Sequence, residues 1–324
     1  MADSYELLLK RIIDEVRSYR GIDRKSGRRL TSSLMPENTG RIIAAKGEDG
    51  AVLSIGGKKL VFAADGIMDE MVDANPRWAG YCSVLVNVND MLAMGAEPIA
   101  AVNVISARNE GVLTDIVSGM REACGKFGVE MVGGHLHPDS AHNEISVAMI
   151  GEVSAGGPLL STTAKPGDAI VAMCDLDGAF TPELTYSWDT TSKRSRDDVK
   201  IATTKFLSAV HHLTSGKDIS NPGLLGTLAM LLESSRVGGD VDIGKVPIPQ
   251  GVGLLQWLKA YQGFGFIGTA ADSELGGLSA ELEGSGLTMC VIGRVQKDRQ
   301  FKVRLGGAEG VLFDLATEKI TGLY

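Results

Sequence analysis

The stretch LVNVNDMLAMGAEP, residues 85–98, sets an Asn-Asp pair inside an otherwise apolar run. Trp78, Cys82, Leu85, Val86, Asn89 and residues 91–93 fall close to an i, i+3, i+4, i+7 spacing, which predicts a helix with a wide apolar face. Gly95 and Pro98 supply its stop signal. Asp90 then sits in the last turns, where the helix dipole favours cations. A buried carboxylate there calls for a metal ion or a basic partner, and a solvent-facing Asp is the plainer alternative. The rest of the chain has to decide between them.

Outward from this helix, strand-like and helix-like segments alternate along all 324 residues. Residues 7–16 carry an amphipathic helix, followed by the basic polar stretch GIDRKSGRRLTSS. Residues 51–55 and 60–64, joined by Gly56-Gly57, read as a hairpin. A strand at 99–105, a helix at 113–127 and strands at 129–132 and 144–153 complete a first half. The segment SAGGPLLSTTAKPGD, residues 154–168, reads as a link, and the alternation then resumes. We therefore expect an α/β (α+β) protein of two domains, residues 1–155 and 156–324.

Acidic residues recur at element ends. Asp49 precedes a strand, Asp65 ends one, Asp90 ends the helix and Asp218 precedes another helix. Each alone fits a cap or a turn. If Asp49, Asp65 and Asp90 converge, two carboxylates about 5 Å apart repel by roughly 3 kcal/mol at an effective dielectric near 20. A hard cation such as Mg²⁺, shared with phosphate, turns that repulsion into binding.

Other motifs are weaker. GFGFIG, residues 263–268, satisfies G-x-G-x-x-G, but its glycines lie inside a strand-like Phe-Ile run and no acid follows in a strand-end context. SGKDIS lacks the first glycine of a P-loop, having His211 there. His135, His137 and His142 form a cluster in GGHLHPDSAHNE, open to a transition-metal reading, while Gly133-Gly134 equally fits a turn that approaches phosphate. The loop TYSWDTTSKRSRDD, residues 185–198, is either a lid or a solvated charged loop.

The net charge of −8 and pI near 5.2 argue against a nucleic acid or an anionic membrane as partner and leave a small molecule or a protein. Four dispersed cysteines without metal-ligand spacing suit a reducing cytosol, and the N-terminal segment reads as neither signal peptide nor membrane span. A cytoplasmic protein is expected.

Together, GEDGAV, AADGI, VNVNDMLAMGAEP, VGGH, AKPGD and DISNPGLLGTL resemble the superfamily of aminoimidazole ribonucleotide synthetase, thiamine-monophosphate kinase, selenophosphate synthetase and HypE. FAADGI, WAGYC, GGHLHPD, WDTT and GKDISNPG are similar to the subgroup called methanogenesis marker protein 2. The resemblance implies two PurM-like domains, the first lending four strands to a barrel across the two-fold of a homodimer. It implies ATP and Mg²⁺ in the cleft between domains, with Asp49, Asp65 and Asp90 as metal and phosphate ligands. Asp90 and His135 become the catalytic candidates, and Asn87, Asn89, Gly133, Gly134, Asp218 and Asn221 border the nucleotide. Lys25 and Arg28, with Arg24 and Arg29, become phosphate contacts on an N-terminal segment that folds over it. The implied activity is ATP- and Mg²⁺-dependent phosphotransfer to an oxygen of a small acceptor; the alternative is an ATP-binding accessory or maturation protein. His135 stands where most relatives have an acid, and Asn221 where they have a second Asp, so two carboxylates of the family pattern are missing.

Overall fold

The computed structural model describes residues 2–35, 39–261 and 263–324. The chain opens with three helices, α1 (Ala2–Arg17), α2 (Arg20–Ser26) and α3 (Arg28–Thr31). The first domain follows as β1 (Ile42–Ala44), β2 (Ala51–Ile55), β3 (Lys58–Gly66), α4 (Asp69–Ala74), α5 (Pro76–Ala93), β4 (Ala96–Ser106), α6 (Glu110–Phe127), β5 (Glu130–His137) and β6 (Glu144–Val153). Its strands form one sheet in the order β1-β2-β3-β6-β4-β5, with only β4 and β5 parallel.

Helices α5 and α6 cover one face of that sheet. They cross at glycine: a Cβ on Gly119 would stand 1.9 Å from the Arg77 carbonyl oxygen, and one on Gly80 2.1 Å from that of Ile116. This close approach is what bare backbone permits. Between helices and sheet lie Val61, Ala63, Leu85, Val88, Met91, Val147 and Met149, all buried. The opposite face is apolar and, among the described residues, uncovered. Register places Ala64, Ala148, Val102 and Gly133 in one row and Gly66, Ser146, Val104 and His135 in the next. Phe62, Val102 and Val104 are 49%, 42% and 47% exposed there, whereas an antiparallel sheet facing water ordinarily alternates to polar.

The second domain contains β7 (Ala169–Asp175), the short pair β8 (Ala179–Phe180) and β9 (Trp188–Asp189), α7 (Arg196–Ala209), β10 (Ser215–Asp218), α8 (Gly223–Ser235), β11 (Gly238–Asp242), α9 (Leu254–Leu258), β12 (Gly265–Ala270), α10 (Leu275–Leu282), β13 (Leu287–Gln296), β14 (Gln300–Leu305) and β15 (Ala308–Asp314). Its main sheet runs β10-β12-β7-β13-β11-β14-β15. The edge strand β10 is buried along its length, packed against α5 of the first domain and α8 of its own. This seam positions the site.

Several expectations are corrected by packing. Helix α1 buries Leu9, Ile12 and Val16 in the second-domain core, so the division at residues 155/156 separates the sequence but not the packing. The basic stretch after it is helical, as α2 and α3. Gly133 and Gly134 lie in strand β5 and make no turn. Gly134 is needed because a Cβ there would sit 2.5 Å from the Asn103 carbonyl oxygen of β4, the close-approach use of glycine in a strand. Trp188 is no lid residue: it is 4% exposed, its Nε1 donates to the Asp175 carbonyl at 3.1 Å, and its ring meets Phe180 and Trp257 edge-on. The G-x-G-x-x-G run falls across strand β12, as its apolar filling indicated. Among the described residues no helix is long and apolar enough to cross a membrane.

Candidate active site

Three elements meet where the domains join. Asp49 lies in the turn before β2, Asp90 near the end of α5, and Asp218 at the end of β10. One carboxylate oxygen from each lies within 4.8 Å of the others. Sequence reading grouped Asp49 with Asp65 and Asp90; the structure puts Asp218 in the tight group instead. Asp65 stands nearby at the end of β3, open to the cleft.

Convergence in a buried place shifts the acids. Burial pushes the Asp90 carboxyl well above the usual carboxylate range, and the charges of Asp65, Asp218 and Asp49 add to it. Asp218 is pushed up to about 8, by burial first and then by Asp49, with Lys217 pulling the other way. Such opposition between carboxylates marks functional sites.

Lys217, which the sequence offers only as the lysine of an incomplete P-loop, is the counter-charge. Its side chain is 1% exposed and its ammonium is ion-paired with Asp49 Oδ1 across the domain seam. The only sequence signal was its place in SGKD beside an acid, and a lysine's burial is not written in its own residue type.

The cleft beside this cluster has a volume of about 180 Å³ and is lined in part by Lys25, Asp65, Asn89, Asp218, Asn221 and Tyr261. Lys25 lies within electrostatic reach of Asp65 and Asp218; burial and Arg28 lower its pKa. Arg28 also acts on Asp65. Helix α2 is held here by close contact: a Cβ on Gly21 would stand 2.2 Å from the Asn221 carbonyl oxygen. Arg24 turns its guanidinium to the sulfur of Met68, and Arg29 packs along Gly322.

The donor set fits a hard cation. Asp49 Oδ2, Asn89 Oδ1 and Asn221 Oδ1 are buried without a hydrogen-bond partner, and these amide and carboxylate oxygens, with Asp90 and Asp218, are the ligand chemistry Mg²⁺ takes. Asn89 Nδ2 donates to the Gly263 carbonyl at 3.1 Å, which fixes the oxygen's direction. Asn87 is also fully buried, but its Nδ2 donates to Ser83 O at 2.9 Å within the helix and it does not line the cleft.

The remaining candidates lie elsewhere. Register aligns Asp65 with Val147, Asn103 and Gly134 across the sheet, so Gly134 is three strand spacings, about 14 Å, from Asp65. His135 belongs to the next row and shares the uncovered face with Val104 and Ser146. The chain itself does not bring Gly133, Gly134 or His135 to the carboxylates. His135 and His137 do point the same way, with ring centroids 4.7 Å apart, while His142 pairs with Glu144 at 3.5 Å. Among the described residues the histidines form no three-ligand metal group.

A second cavity, of about 380 Å³, adjoins the cleft and shares Met68, Asn221 and Tyr261 with it. Tyr19, Arg24 and Tyr186 contribute to its wall, and the Tyr19 and Tyr186 rings meet edge-to-face at 5.5 Å.

Two α/β domains with an acidic, oxygen-rich seam define the class, and comparison with known proteins places the chain within it. Residues 47–153 match the model for the N-terminal domain of AIR synthase related proteins, and residues 165–306 match that for the C-terminal domain. The chain belongs to the AIR synthase related family. It is 37% identical over 321 residues to an uncharacterized protein of Methanocaldococcus jannaschii, covering 97% of this chain and 99% of that one. It is 31% identical over 239 residues to the thiamine-monophosphate kinase of Methanospirillum hungatei, covering 71% and 77%. Among solved structures, Thermotoga maritima PurL complexed with ATP superposes with a TM-score of 0.73 at 19% identity, covering 97% of this chain and 55% of that one.

Proposed function

We propose that this protein transfers the γ-phosphoryl group of ATP, with Mg²⁺, to an oxygen of a small acceptor. The observation that carries this is the convergence of Asp49, Asp90 and Asp218 beside a cleft lined by Lys25, with Arg28 within electrostatic reach of Asp65. The kinase name of a relative and the ATP bound by a structural neighbour support it.

Phosphoryl transfer asks a protein mainly for positioning and charge neutralisation. Bound Mg²⁺ would supply Lewis-acid polarisation of phosphate oxygens, held by Asp49, Asp90 and Asp218 with the amide oxygens of Asn89 and Asn221 completing the oxygen set. Lys25 and Arg28 neutralise the terminal phosphates from the mouth. The adjoining cavity seats the acceptor, and Asn221 and Tyr261, common to both spaces, orient its nucleophilic oxygen.

The functional unit we propose is a homodimer joined through the uncovered rows of β3, β6, β4 and β5, a face too apolar to remain in water comfortably. His135 lies on that face and takes part only through the dimer. Val104→Asp would then yield monomers in light scattering, and a monomeric parent would refute the assembly.

The central test is calorimetric ATP binding with and without Mg²⁺, on the parent and Asp90→Asn, with ADP and phosphate release followed together. Metal-dependent binding that Asp90→Asn weakens, with slow turnover, is expected. Binding without turnover under any acceptor would favour an accessory role, and no binding of Mg-nucleotide at millimolar concentration would sink the proposal.

A further inference from the structure

Lys217 has no task in the reaction as proposed, yet its position is costly. An ammonium at 1% exposure has lost its water, and a neutral side chain on β10 would avoid that loss. It lies on β10, the strand packed against α5 and α8, pairs with Asp49 Oδ1, lies 3.5 Å from the Gly47 carbonyl oxygen, and is within electrostatic reach of Asp90 and Asp218. Its charge is therefore directed at all three carboxylates of the cluster.

The charge count is then informative. Asp49, Asp90 and Asp218 carry −3 when ionised and Lys217 carries +1, which leaves −2, the charge one divalent ion neutralises. Asp65 lies outside that tight group, and of the cations acting on it Lys25 and Arg28 come before Lys217. An oxygen donor still remains for that one ion: Asp49, whose side chain is 8% exposed, keeps Oδ2 unpartnered, and Asn89 on the adjoining cleft keeps a buried, unpartnered Oδ1. Lys217 holds one oxygen of Asp49 and leaves the other to a ligand.

We infer that Lys217 takes the place a second divalent ion would occupy, and so limits the Asp49, Asp90 and Asp218 cluster to a single ion. The inference rests on the Mg-nucleotide reading above and specifies it. The ammonium acts as a fixed counter-cation, and the cluster binds its one ion less tightly than three bare carboxylates would.

The test is a Mn²⁺ titration of the metal-free full-length chain without nucleotide, the free ion counted by electron paramagnetic resonance. Parent, Asp90→Asn, Lys217→Met and Lys217→Arg are compared, with circular dichroism as a folding control. The parent is expected to hold one ion per chain that Asp90→Asn loses. Lys217→Met should bind its first ion at least tenfold more tightly and take up a second, and Lys217→Arg should behave as the parent. Two Asp90-dependent ions in the parent, or a folded Lys217→Met with one ion at parental affinity, would overturn the inference and leave the proposed function standing. No Asp90-dependent ion in the parent would remove both. If Lys217→Met does not fold, the parent's count and the affinity of Lys217→Arg decide.

Discussion

The two ends of the cleft are built from different materials. The inner end draws Asp90 from an 18-residue buried helix, Asp218 from a fully buried strand and Asp49 from a turn at the domain seam. The mouth draws Lys25 and Arg28 from helices of seven and four residues, of which the second buries nothing and the first only Gly21 and Ile22. Charge that must be placed to a fraction of an ångström comes from the core; charge that needs only to be near comes from light structure laid over it. The difference teaches that, on the proposed reading, the acidic inner end and the basic mouth can be altered independently.

The strongest way to break this contrast is Asp90→Asn. Phosphoryl transfer should fall by about 100-fold or more, since the lost carboxylate acts on the transferring group. The metal-free variant should resist urea better than the parent, because a buried acid repelled by three others is removed. An unfolding curve in EDTA alongside the kinetics checks both halves.

A sharper separation comes from the mouth. Lys25→Ala and Arg28→Ala should each raise the KM for ATP roughly tenfold, the effect of losing about 1.4 kcal/mol, with Mn²⁺ affinity in the absence of nucleotide unchanged. Gly21→Ala should act in the same direction, because its Cβ would press on the Asn221 carbonyl and lift α2. Any of these that altered metal binding would join the two ends again.

The acid–base behaviour should also divide. Asp218, held near 8 in the folded chain against an ordinary value near 4, binds more protons folded than unfolded between those limits. Its contribution to stability is present below about pH 4 and lost as pH rises through about 8. In EDTA the melting temperature should therefore fall by a few degrees between pH 6 and 9. Saturating Mg²⁺ should flatten that slope, and scanning calorimetry in both conditions reads it. The smallest change is expected from Arg29→Ala: its side chain lies on Gly322, away from the cleft, and KM should move less than about twofold.

What could be read in the sequence follows the same division. The periodicity around Asp90 gave the helix within two residues, and three of the acids at element ends do converge, because pattern and end position are local properties. Asp218 was named only at the cleft's border, since its convergence with Asp49 depends on two domains docking. Gly133-Gly134 resembled a turn because glycine permits turns and close strand approach alike, and only the neighbouring strand distinguishes them. Trp188 looked exposed among polar residues, yet its indole was needed beneath them. The histidine strand was visible, but which face it would occupy depended on register.

Beside the site, Glu48 and Asp49 are adjacent acids with separate duties. Glu48 is buried and accepts from the Ser161 amide at 2.6 Å, the Ser161 hydroxyl at 2.7 Å and the Thr162 hydroxyl at 2.9 Å, binding the turn to the inter-domain link. Asp49 faces the cluster. In a saturation screen that scores abundance and catalysis separately, position 48 would deplete from the soluble pool while position 49 would remain abundant and inactive. Two neighbouring codons would thus report on assembly and on chemistry.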